Sequence, residues 1–167
     1  MLAEKVHIRT AIPFDRHAIL HVNHVTWQEA YQHIYTEAEI KGLFNNSLSQ
    51  NGTWVYRRDE RLGMLVAEIN QQIVGFIGMG SLLNDTSAEI TTFYILPRYQ
   101  SDGIGTLLWQ RAMTQLQEAG YSGVWVWVLG RASARKFYEA QGCIERERGQ
   151  YTIGTHSEVA IGYWLGL

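Results

Sequence analysis

The stretch from Glu89 to Leu108 constrains this chain most. It reads as an apolar strand, Ala88–Leu96, ending at Pro97 and followed by the turn Gln100-Ser101-Asp102-Gly103-Ile104-Gly105-Thr106. A helix to about Glu118 comes next, with Leu107, Leu108, Ala112 and Leu116 on one face, and then the strand Gly123–Leu129. Together these make a βαβ unit, which brings with it a sheet and a helix that crosses its face.

The remaining elements extend that sheet. Lys5–Ala11 is expected to form a first strand, and Pro13 with Asp15 opens a helix marked by Ile19, Val22 and Val25. A second helix is expected over Trp27–Phe44, a loop over Asn45–Gly52, and a hairpin over Met64–Ser81 that turns at Asn70–Gln72. Asn84–Ser87 supplies the next turn. Beyond the βαβ unit, a helix over Ala132–Ala140 stops at Gly142, and strands at Cys143–Gly149 and Glu158–Leu165 flank a loop, Gln150–Ser157. The order predicts one domain over 1–167, α/β or α+β, a mixed sheet with helices on both faces. At 167 residues it buries roughly 70% of the surface its unfolded chain exposes.

Two glycines at a helix start present backbone N–H groups without Cβ interference, which makes an anion site; the same pair also serves a plain strand-to-helix turn. A P-loop would need a Lys after Gly105, and a Rossmann turn would need Gly where Leu108 stands.

The segment Gln100-Ser101-Asp102-Gly103-Ile104-Gly105 resembles the Q/R-x-x-G-x-G/A pattern of the GNAT (Gcn5-related N-acetyltransferase) superfamily. Phe93-Tyr94-Ile95-Leu96-Pro97 looks like that family's fourth strand. Ala134-Arg135-Lys136-Phe137-Tyr138-Glu139-Ala140-Gln141-Gly142-Cys143 is similar to its later A-x-x-F-Y-x-x-x-G-F motif, with Cys143 in place of the final Phe. The resemblance implies a mostly antiparallel sheet of about seven strands with four or so helices. It also implies direct transfer of an acetyl group from acetyl-CoA to an amine.

Carried onto this chain, the resemblance sets Phe93, Tyr94 and Ile95, then Gln100, Ser101, Asp102, Gly103, Ile104, Gly105 and Thr106, and finally Arg131, Lys136 and Tyr138 against coenzyme A. Arg131 stands where many members carry an Asn for the pantetheine arm, so a phosphate is its alternative partner. By position, the Ile95 N–H holds the thioester oxygen and Tyr138 meets the departing sulfur. A phenol of pKa about 10 protonating a thiol of pKa about 8.5 is uphill by roughly 2 kcal/mol, so hydrogen-bond donation is the weaker demand on Tyr138. Glu89 has the offset of the catalytic glutamate in the histone-acetylating branch, where it takes a proton through water; an ordinary exposed strand residue is the other reading. Members that acetylate ribosomal-protein N-termini tend to carry a glutamate where this chain has Val126, which weakens a peptide acceptor.

On the acceptor side the resemblance points to Trp27, Glu29 and Tyr31. Trp125 and Trp127 share one side of their strand, either as core packing or as an aromatic acceptor wall, and Tyr151 and His156 lie in the loop that covers the acceptor. The net charge of −2 and pI near 6.3 leave no role for nucleic acid, and Arg98, Arg111, Arg131, Arg135, Lys136, Arg146 and Arg148 give only a modest local excess for phosphates. His17, His21 and His24 form a solvated helix stripe rather than a metal site, and Cys143, the single cysteine, is a buried structural thiol suited to a reducing compartment, the cytoplasm. No apolar stretch reaches membrane-spanning length. The expected partner is a small-molecule amine, with a peptide amine, or acyl-CoA binding without turnover, as alternatives; a homodimer is compatible with all three.

Overall fold

The Ile-, Val- and Phe-rich run after Met64 forms the expected hairpin in a computed structural model, which describes residues 6–41, 56–57, 62–82, 86–153 and 155–167. Its strands are β3 (Leu65–Ile69) and β4 (Gln72–Leu82). Asn70 and Gln71 between them both sit at positive φ, 48° and 65°, as a two-residue hairpin turn matched to strand twist requires.

The other described strands are β1 (His7–Thr10), β2 (Tyr56–Arg57), β5 (Ser87–Ile95), β6 (Gly123–Leu129), β7 (Ile144–Ile153) and β8 (His156–Gly166). The sheet runs β1-β3-β4-β5-β6-β8-β7, with β2 paired to the end of β4. Only β5 and β6 pair in parallel; the remaining described pairs are antiparallel. The expected mixed, mostly antiparallel sheet is therefore present.

Six consecutive residues of β4, Ile73 to Gly78, are buried. Successive residues point to opposite faces, so burial of all six requires cover on both. The cover comes from α1 (Arg16–Tyr31) and α2 (Ile104–Glu118), which both pack on β4 and β5. Leu108, Ala112 and Leu116 of α2 are fully buried, about 2 kcal/mol of burial for each leucine. A short third helix, α3 (Arg135–Ala140), is tied to β8: Arg135 Nε donates to the Tyr163 hydroxyl at 3.0 Å, which donates to Glu139 at 2.7 Å.

Three boundaries differ from expectation. Trp27 lies inside α1, because nothing between Val25 and Tyr31 breaks the helix. The break falls at residues 32–35, and a new helical turn at 37–41 opens on a capping box: Thr36 N–H donates to Glu39 at 2.8 Å and Glu39 N–H to the Thr36 hydroxyl at 3.2 Å. Residues 42–44, the loop Asn45–Gly52 and residues 84–85 of the turn Asn84–Ser87 lie outside the described residues. The helix expected from Ala132 begins at Arg135, after a turn. Finally, most of Gln150–Ser157 is strand rather than loop; β7 and β8 continue to Ile153 and from His156, with Thr152 and Ser157 hydroxyls 2.7 Å apart.

Cys143 is buried, and burial pushes its thiol up to about 11, as a structural cysteine should behave. His17 and His21 are exposed, and the described residues contain no group of three or more potential metal ligands. No described helix is long and apolar enough to cross a membrane.

Candidate active site

The parallel ladder between β5 and β6 ends at Ile90↔Val126, although β5 continues to Ile95 and β6 to Leu129. The two strands split there. A bulge on β5 marks the point, since Thr92 faces Gly78 and Ile90 faces Met79, leaving Thr91 as the extra residue.

The split aims backbone groups into the gap. Leu96 N–H donates to Val74 C=O at 2.8 Å, so Leu96 bonds toward β4. Antiparallel pairing alternates, and therefore Phe93 and Ile95 turn their N–H and C=O groups away from β4, toward the gap. Gln100 Nε2 caps the Ile95 C=O at 2.9 Å. What faces the gap from Ile95 is then a hydrogen-bond donor.

At the far end of the same gap stands the N-terminus of α2. The first helical bond runs from Leu107 N–H to Gly103 C=O, so the N–H groups before it have no intrahelical acceptor. Gly103 sits at φ 82° and Ser101 at φ 66°, a curl that turns successive N–H groups inward. Gly103 is required by that conformation. Gly105 is not: its φ is ordinary, and a Cβ there would meet Phe137 and Phe93 at 3.6 and 3.7 Å, normal contacts. A first-turn glycine that the protein's own packing does not demand leaves room for an approaching group, and the donors around it suit an anion. A coenzyme A pyrophosphate fits this set.

A cavity of about 650 Å³ joins the helix end and the split. It is lined by Phe93, Tyr94, Ile95, Gln100, Ser101, Gly103, Gly105, Thr106 and Tyr138 on one side, and by Glu29, Tyr31 and Trp127 on the other. Tyr138 is 6% exposed and ringed by Phe93, Trp109, Phe137 and Tyr163, with centroids 5.5 to 6.4 Å away. Burial raises its phenol well above the ordinary tyrosine value, so it stays protonated.

Trp27 stacks behind the wall, 4.5 Å from Tyr31 and 6.4 Å from Tyr94 between centroids. Burial pushes Tyr31 up to about 12 and also raises Tyr94 well above the ordinary tyrosine value. Tyr151, on β7, packs with Tyr31, Ile34, Tyr35 and Leu129 in a second apolar cluster, so the hairpin reaches the acceptor end as strand. Trp125 pairs with Trp164 at 5.2 Å and is half-buried, whereas Trp127 is 41% exposed and lines the cavity.

The remaining expected site residues lie off the cavity wall. Ile104 is buried in the core, and Asp102 and Lys136 are exposed. Glu89 sits beside Trp125 in register, six residues up the strand from Ile95, on the order of 20 Å. Arg131 is bonded through Nε and Nη2 to Glu158, which also accepts from His156 at 2.7 Å; a phosphate would have to compete for that guanidinium. Conversely, Thr26, His33, Thr91, Thr92 and Phe137 line the cavity without having been expected there. Thr92 Oγ1 is buried without a hydrogen-bond partner among the described residues, and the only sequence sign of it is a Thr-Thr pair before the aromatic end of β5.

Comparison with known proteins agrees with this geometry. The model of the acetyltransferase (GNAT) family matches residues 18–143. An uncharacterized N-acetyltransferase of Archaeoglobus fulgidus is 31% identical over 103 residues, 58% of this chain and 69% of that protein. The [ribosomal protein bS18]-alanine N-acetyltransferase of Haemophilus influenzae is 36% identical over 91 residues, 54% of this chain and 61% of its own length. In fold, the chain is similar to the PaiA N-acetyltransferase of Thermoplasma acidophilum, solved in complex with coenzyme A, with a TM-score of 0.71 and 20% identity over 94% of this chain and 97% of that one. The chain belongs to the acetyltransferase (GNAT) family, acyltransferases whose acyl donor is acetyl-CoA.

Proposed function

We propose that this chain transfers an acetyl group from acetyl-CoA directly to a primary amine of a small molecule, in the cytoplasm. The observation that carries the reading is one cavity that joins the helix N-terminus, the β5/β6 split and the buried Tyr138. Bound there, acetyl-CoA supplies a thioester activated toward an amine. The curl from Ser101 to Thr106 binds its phosphates through backbone N–H groups and the α2 dipole. Phe93 and Ile95 turn N–H donors to the gap, where they stabilise negative charge on the acyl oxygen; a preformed donor of this kind contributes about 3 kcal/mol to the barrier.

Tyr138 donates a hydrogen bond to the sulfur as it gains charge. Its raised pKa favours donation over full proton transfer, which would now be more uphill than for an ordinary phenol. The amine's proton leaves to water in the gap; Glu89, off the cavity wall and six residues up the strand from Ile95, is too far away to take it directly.

A small acceptor is favoured over a protein N-terminus by the wall itself. Val126, where a glutamate marks the ribosomal-protein enzymes, is 3% exposed and apolar, and it offers nothing to a peptide ammonium. The H. influenzae relative supports a protein acceptor as the second reading. A thiol-release assay with acetyl-CoA, run over small primary amines and an alanine-ended peptide, separates the two: higher kcat/KM with small amines is expected. Tight acetyl-CoA binding without thiol release from any acceptor would replace transfer by acyl-CoA sensing.

A further inference from the structure

Trp127 stands mid-strand between buried Val126 and Val128, yet remains 41% exposed. Its indole does not project outward; it lies across the neighbouring strands. A Cβ built on Gly162 of β8 would come 3.0 and 3.1 Å from indole atoms Cη2 and Cζ2, and one built on Gly149 of β7 would lie 3.5 Å from Cζ3. The ring therefore rests on glycine backbone over two strands, and an alanine at Gly162 would force it to shift by a few tenths of an ångström. Glycine inside a strand weakens it, a cost that packing alone would not favour. It keeps one face of the indole on the sheet and leaves the other to the cavity.

Among the described residues that line this cavity, Glu29 is the only carboxylate, none is Lys or Arg, His33 is the one basic side chain, and Tyr31 and Tyr94 are two of the aromatic rings. Electron-rich rings and a carboxylate lining one cavity together attract an organic cation. The reacting amine must be neutral to attack, so a cation held here is a different group of the acceptor.

We propose that the indole of Trp127, seated on Gly149 and Gly162, binds a second cationic centre of the acceptor, making the preferred substrate a primary amine with another positive group at its far end. This rests on the acetyltransfer reading above. It makes Trp127 a specificity determinant rather than a catalytic residue.

The test compares agmatine with 1-aminopentane, which share a primary amine on an alkyl chain and differ in carrying a guanidinium or a methyl end. Thiol release with acetyl-CoA should give agmatine at least a tenfold advantage in kcat/KM in the wild-type protein. Trp127→Leu should bring the ratio near one, and Gly162→Ala should lower it by tilting the ring. Site-specific fluorinated tryptophan at 127 keeps the shape while weakening the ring face, so the advantage should shrink with each fluorine even if Trp127→Leu folds poorly. A ratio unchanged by fluorination, or no advantage for agmatine in wild type, overturns the proposal. If no amine is acetylated at all, the acetyltransfer reading fails, and calorimetric titration of agmatine in the presence of coenzyme A still decides the seat: binding weakened at least fivefold in the fluorinated protein supports it, and absent or unaltered binding overturns it.

Discussion

The side chain of Gln100 and the carbonyl of Ile95 are joined by a 2.9 Å hydrogen bond that closes the open end of the β5/β6 split. The bond occupies the one acceptor that Ile95 turns to the gap, so that its N–H is the group left to face a ligand. Removing the cap frees a carbonyl that repels a developing negative charge and draws in water. Gln100→Ala is expected to lower kcat about fivefold, the effect of about 1 kcal/mol, with little change in melting temperature because Gln100 is exposed. Steady-state kinetics with thermal unfolding checks both halves.

Tyr138→Phe keeps the ring contacts to Trp109 and Phe93 and removes only the hydroxyl. If that hydroxyl serves the departing sulfur, kcat falls tenfold to a hundredfold while the acetyl-CoA KM moves less than threefold. The wild-type kcat should show no decline from phenol ionisation up to pH 10, because burial holds Tyr138 protonated beyond that point. Equal kcat in mutant and wild type removes the role.

Local signals carried much of this site. The glycine turn and the strand before it could be placed from short-range patterns, since a helix start, a strand and a capping glycine are decided by residues within a few positions, whereas Tyr138 is singled out by the resemblance of Ala134–Cys143 to a family motif. What the sequence concealed depends on register. That Trp127 is open while Trp125 is covered follows from two glycines on other strands, Gly149 and Gly162, which no periodicity within β6 reveals. That Arg131 is engaged by Glu158 follows from the length of the β7–β8 hairpin, which places Glu158 on a strand beside it. The α1 boundary is legible in part: the Thr36-x-x-Glu39 box marks a helix start, which puts the break after Tyr31 rather than before Trp27.

Arg9 joins β1 to the entry of α1. Its guanidinium donates to Asp15 at 2.7 and 2.9 Å and to Glu68 on β3 at 2.8 Å. Asp15 is 5% exposed and also accepts from Ile12 N–H at 2.8 Å; the Arg9 bonds, then the backbone bond, hold its carboxyl down at about 2. A depressed carboxyl stabilises the fold above its unfolded value near 3.8 and stops doing so as pH falls toward 2. Arg9→Ala is expected to cost about 2 kcal/mol at pH 7, less than a fully buried pair would, and to flatten the loss of stability between pH 4 and 2. Urea unfolding of both proteins across that range measures it.

Tyr35 gives the opposite sign at high pH. Its side chain is 2% exposed, its ring meets His156 edge-on at 5.3 Å, and its hydroxyl has no partner among the described residues. Burial first, and then the nearby Glu158 carboxylate, push it up to about 12. A raised phenol contributes stability in full below the unfolded value of 10, and that contribution disappears as pH climbs from 10 toward 12, because the unfolded chain ionises first. Tyr31, also near 12, adds to the same window. The melting temperature should therefore fall steeply above pH 10. Tyr35→Phe removes a buried hydroxyl that has no bond to lose, so at pH 8 it should be neutral or stabilising by up to about 1 kcal/mol. The same substitution should shrink the drop between pH 10 and 11. A Tyr35→Phe protein markedly less stable at pH 8 would mean that the hydroxyl has a partner, and the acceptor-side cluster around Tyr151 and Leu129 would then be held by a polar bond rather than by packing.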